Sequence, residues 1–70
     1  MNAMAVDMVK CGTVRRVIIP GHYIFTSDEC ANRNVDILRD LCMEQNIKYF
    51  YDIKDLGNFK VRLSVSLFES

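Results

Sequence analysis

His22 is the only side chain in this sequence whose ordinary pKa places proton exchange near neutral pH, so any general acid–base chemistry starts with it. To act as a catalytic acid, an imidazole needs a carboxylate or similar partner that fixes its tautomer and stabilises its charged form. The flanking residues are Gly21 and Tyr23, and Gly21 has no side chain to offer. On residue type alone His22 therefore reads as a loop or helix-adjacent histidine. Cys11, Cys30 and Cys42 are the other candidates, as nucleophiles or metal ligands. Three is an odd number, and spacings of 19 and 12 residues match neither a disulfide framework nor a CxxC metal knuckle. They read as free thiols in a reducing compartment, behaving as small buried or half-buried apolar residues.

The elements that must position these groups come from a chain of 70 residues, which is at most one domain. So short a chain buries only roughly 60% of the surface it exposes when unfolded, so its stability is marginal. Half of the residues are apolar, which excludes a disordered segment. Nine Lys and Arg against nine Asp and Glu leave no net field to draw the chain to nucleic acid or anionic lipid, so neither is an expected partner. No apolar run approaches the roughly 20 residues of a membrane span. Residues 1–9 carry Asp7 and lack the basic start of a secretory signal, so the chain is expected to stay in the cytoplasm by default.

Met4 and Met8 are four apart, which suits a turn or two of helix at residues 1–10. Thr13 to Ile19 is β-branched and bounded by Gly12 and Pro20, a strand whose apolar end fits a position covered on both faces, as in parallel sheets. His22 to Phe25 reads as an extended apolar connection. Thr26 followed three residues later by Glu29 is a capping-box pattern, and a helix should begin there. Ala31, Val35, Leu38 and Leu41 with Cys42 form one apolar stripe that ends near Gln45, with Asn46 as a left-handed terminator and Ile47 folding back. Lys48 to Ile53 is a second strand and residues 55–58 a turn. Phe59, Val61, Leu63, Val65 and Leu67 alternate with polar residues as a half-buried strand. The expected fold class is α/β: a single small βαβ unit, right-handed, with an additional C-terminal strand, in one partial domain over residues 1–70.

From Val17 to Lys60 the residues carry a distinctive combination. Val17-Ile18-Ile19-Pro20-Gly21-His22-Tyr23-Ile24-Phe25-Thr26 is followed by Ala31-Asn32-Arg33-Asn34-Val35-Asp36-Ile37-Leu38-Arg39. Then come Glu44-Gln45-Asn46-Ile47-Lys48-Tyr49-Phe50-Tyr51-Asp52-Ile53 and Asp55-Leu56-Gly57-Asn58-Phe59-Lys60. This region resembles the isopropylmalate dehydratase large-subunit family of the aconitase superfamily, most of all its plant and cyanobacterial forms. The resemblance implies a piece of an aconitase-type α/β/α domain and a hydro-lyase of leucine biosynthesis. It also implies a [4Fe–4S] cluster whose open iron binds the substrate hydroxyl, and, as partners, the dehydratase large or small subunit. The family's cluster cysteines lie beyond the region matched, so Cys11, Cys30 and Cys42 inherit no ligand role, and no cofactor is expected for this chain alone. Within the match the family carries an Asp-His pair, the His close to the substrate hydroxyl and the Asp orienting it. His22 stands at the His position and is the one inherited catalytic candidate, while Gly21 stands where the Asp belongs. A plastid location follows if the chain behaves as its plant relatives do.

Residues 1–16 and 61–70 show no such resemblance. The leading expectation is a truncated large-subunit piece, inactive alone. The alternative is a small non-catalytic interaction protein that pairs with another chain through an exposed edge strand. In either case the alternating tail is expected to leave one apolar side uncovered, so that removing Val61 to Ser70 improves solubility.

Overall fold

The computed structural model describes residues 3–10 and 12–68. Its elements are β1 (Met4–Lys10), β2 (Thr13–Ile19), β3 (Gly21–Phe25), α1 (Asp28–Gln45), β4 (Tyr49–Gly57) and β5 (Lys60–Leu67). β1 and β2 form an antiparallel hairpin, and a second sheet runs in the order β3-β5-β4 with both pairings antiparallel. β3 and β4 are therefore parallel to each other with β5 between them. The connection through α1 is a β–α–β crossover into which a further strand has been inserted. The α/β class and the small strand–helix–strand unit with a C-terminal strand hold, but three of the expected elements change place.

The first change is β1, which replaces the helical turns expected at residues 1–10. A spacing of four satisfies a period of two as well as one of 3.6, so Met4 and Met8 cannot distinguish strand from helix. Val6 lies between them on the same face, and Gly12, at φ 79°, turns the chain back so that Lys10 pairs with Thr13 and Met4 with Ile19. The second change is β3, a strand where a connection was expected, because its partner is the distant tail: Gly21 pairs with Val65 and Phe25 with Val61. It is β3, not β2, that leads into the crossover. The third is the tail, which is no edge strand. β5 is the centre of its sheet, and Val61, Leu63 and Val65 are buried under α1 in the main core.

That core joins Val6, Met8 and Ile19 of the hairpin to Phe25, the helix stripe Ala31, Val35, Leu38 and Cys42, and the three β5 residues. The helix begins one residue later than the sequence pattern suggests. Ser27 is the N-cap, and its hydroxyl accepts from the Cys30 N–H at 3.1 Å, so Glu29 falls one position short of a capping box. Asp28 and Glu29 still favour the positive end of the helix dipole. The far end is as expected: Asn46 is left-handed, with its N–H donating to Met43 O at 3.2 Å and that of Ile47 to Cys42 O at 2.8 Å, a complete Schellman motif. Leu41 is only half-buried, since α1 and β1 diverge beside it.

Asn58 and Phe59 connect β4 to β5, both with positive φ (53° and 59°), the conformation of a type I′ turn. Phe59 is thus not part of the inward-facing row; it is 88% exposed. A bulky residue there is strained at no packing gain. Phe59→Gly, which makes the favoured Asn-Gly turn, is expected to stabilise the protein by about 1 kcal/mol. A higher urea midpoint at unchanged slope is the readout, and a lowered midpoint would assign the ring a contact of its own.

Candidate functional site

His22 lies in the middle of β3 and points away from α1, on the open face of the three-stranded sheet. In register it stands beside Ser64 of β5, which in turn stands beside Asp52 of β4. The His22 Nδ1 and Ser64 Oγ are 2.7 Å apart, a hydrogen bond in which either group donates according to the imidazole tautomer. Ile24, Arg62 and Lys54 form the next row on the same face. A histidine, a serine and an aspartate in one row suggest nucleophilic catalysis, but the order is wrong for it. The imidazole must sit between hydroxyl and carboxylate to take the proton and be steadied in its charged form. Here the hydroxyl occupies the centre, so Ser64 fixes the ring without being activated by a supported base.

Gly21 withholds a partner from His22 in two ways. Neighbouring strand residues point to opposite faces, so position 21 faces α1 while His22 faces solvent. Position 21 is also occupied in effect by Tyr23. A Cβ on Gly21 would lie 2.8 Å from the Tyr23 hydroxyl oxygen and 3.2 Å from its Cζ. That hydroxyl donates to the Ile18 carbonyl, and burial pushes the phenol above its ordinary pKa, keeping it a donor. An aspartate at position 21 would displace Tyr23 and still not reach the imidazole. The carboxylate that the resemblance implies beside His22 is absent from the sequence, and the strand geometry turns position 21 away from the imidazole.

The thiols are not brought together. Cys30 is half-buried in the first turn of α1, with Sγ 3.5 Å from the Val9 carbonyl. Cys42 is buried, and burial pushes its thiol up, away from the reactive thiolate. Twelve residues along one helix separate them by about 18 Å. Cys11 lies outside the described residues. Among the described residues no group of three or more His, Cys, Asp or Glu side chains is placed to hold a metal ion. No helix among them is long and apolar enough to cross a membrane.

One polar residue of structural weight escapes the sequence pattern. Asn34 is fully buried; its Oδ1 accepts from the Val9 N–H at 2.7 Å, and its Nδ2 donates to Val9 O and Cys30 O, both at 2.8 Å. The amide acts as a substitute peptide group, clipping α1 to the free edge of β1. Its position three after Ala31 and four before Leu38 places it within the apolar stripe, and that spacing is the signal that could have found it.

Over 44 residues, 63% of the chain, the sequence is 77% identical to the 3-isopropylmalate dehydratase large subunit, chloroplastic, of Arabidopsis thaliana. The stretch that carries the resemblance, Val17 to Lys60, is itself 44 residues long. The aligned region makes up 9% of that relative, so the chain spans less than a tenth of its length. No family model matches, and no solved structure matches. The chain is thus related in sequence to one short part of that dehydratase subunit.

Proposed function

We propose that this chain is an internal piece of a 3-isopropylmalate dehydratase large subunit that folds as a small α/β unit and does not dehydrate isopropylmalate by itself. The observation that carries this reading is the 77% identity confined to 9% of the relative. Hydration and dehydration at adjacent carbons require an acid and a base held in mutual register. Of the positions inherited from the family only His22 remains, and its one side-chain partner among the described residues is the Ser64 hydroxyl. The [4Fe–4S] cluster of the family requires several thiolates converging on one centre. The two described thiols do not fit such a cluster: they are about three turns apart on one helix, and one is buried in the core. Association with an intact dehydratase subunit and a plastid location follow from the same relationship and are part of the proposal.

Anaerobic incubation with iron and sulfide, followed by an absorbance spectrum and an isopropylmalate turnover assay, tests the reading. The expected result is no stoichiometric cluster band and no turnover. A cluster band together with turnover that His22→Ala abolishes would make the chain a minimal enzyme instead.

A further inference from the structure

Beyond the relationship to the dehydratase, β1 lies wholly in the part of the chain that the family resemblance does not reach, and it carries a hydrogen-bonding edge of its own. β1 has β2 on one side only. The hairpin closes through the pair Lys10–Thr13, so the ladder to β2 uses the backbone groups of Lys10, Met8, Val6 and Met4. Those of Val9, Asp7 and Ala5 point outward. At Val9 both groups are taken by the Asn34 amide. Further along, α1 moves away, and a groove of about 430 Å³ opens between it and the Ala5–Asp7 edge.

We infer that this groove binds a short extended segment rich in Lys or Arg, which adds to β1 as a third strand. The Asn34 amide already shows how the edge is satisfied at Val9, where it supplies one donor and one acceptor to the same residue. A peptide backbone would supply the same pair at Asp7 and Ala5. Ile37 and Leu41 form the apolar floor, both half-buried and in want of cover. Asp40 and Glu44 form the rim, and neither enters an ion pair among the described residues. Arg16, the one cation among the described residues lining the groove, is engaged by Asp7 at 3.0 Å. The groove therefore presents apolar surface, an unpaired strand edge and unbalanced negative charge, which together select a cationic strand over an acidic or neutral one.

The test uses the full 70-residue chain and a fluorescently labelled peptide of alternating Val with Lys and Arg. The expected result is saturable binding that weakens at least fivefold in the exposed double variant D40K/E44K and is lost when alternate peptide amides are N-methylated. The amide resonances of Ala5 and Asp7 should shift on binding. An acidic peptide of the same length binding as well, or binding unaffected by D40K/E44K, would overturn the inference. So would a failure of the cationic peptide to bind, or a concentration-dependent dimer of the chain alone that produces the same amide shifts.

Discussion

A chain ending at Lys60 is expected not to fold. β5 is the strand that β3 and β4 share, and neither of those pairs with the other. Removing residues 61–70 therefore deletes both ladders of the sheet along with the buried Val61, Leu63 and Val65. Burying each such side chain stabilises the fold by about 1.5 to 3 kcal/mol, so three of them contribute roughly 5 to 9 kcal/mol. A domain of this size has about 4 to 10 kcal/mol in total. Circular dichroism should show loss of both helix and strand signal, because α1 would lose the surface it packs on. A truncated chain that kept its helix and a cooperative thermal transition would show that the tail is dispensable. The opposite expectation, that removing the tail helps solubility, follows only if β5 is an uncovered edge, and it is neither uncovered nor at an edge.

Asn34→Leu is expected to destabilise the protein by about 2 to 6 kcal/mol, although it replaces a buried polar side chain by an apolar one of similar size. The usual gain from such a change depends on both partners of a hydrogen bond being removed together. Here the Val9 N–H and C=O remain at a partly buried strand edge; the N–H loses its acceptor, and the C=O keeps only the weak Cys30 thiol donor at 3.5 Å. Each orphaned group costs about 1 to 3 kcal/mol. The Cys30 carbonyl is affected less, since the helix still supplies it with the N–H of residue 34. Two measurements check this: the denaturant midpoint, and hydrogen exchange at the Val9 amide. Loss of protection at Val9 with a lowered midpoint is the expected pair. An unchanged midpoint with Val9 still protected would mean that the clip contributes nothing.

The helix was the most legible part of this fold because everything that defines it is local. The stripe Ala31, Val35, Leu38 and Cys42, the acidic first turn and the left-handed Asn46 all lie within the segment they describe. The start is off by one residue because Thr26 and Ser27 are both competent caps, and only the backbone path decides between them. The strands were harder because their identity depends on partners. His22 and Ser64 are 42 positions apart, and no local pattern marks His22 to Phe25 as a strand until Val61 to Val65 is laid beside it. β1 was hidden by an ambiguous period. At the site, the absence of a carboxylate beside His22, which the family resemblance implies, is visible in the letter at position 21. The opposed faces of Gly21 and His22, the Tyr23 ring over Gly21 and the Asn34 clip needed three dimensions.

The insertion of β5 between β3 and β4 also sets the order in which this protein can become ordered. While the chain is being made, the β1–β2 hairpin can close once Ile19 has emerged from the ribosome, and α1 can flicker as a nascent helix. β3 and the completed β4 must wait, each with a hydrogen-bonding edge unmatched, because the strand that satisfies both is made after them. Synthesis at about 5 to 20 residues per second leaves β3 without its partner for roughly two to eight seconds, long compared with the microseconds in which a hairpin forms. During that interval Phe25, Val35 and Leu38 have no β5 to cover them. Nascent chains whose β5 has not yet emerged from the ribosome should therefore be the species that a chaperone engages or a protease cuts, and emergence of Leu67 should end that susceptibility abruptly.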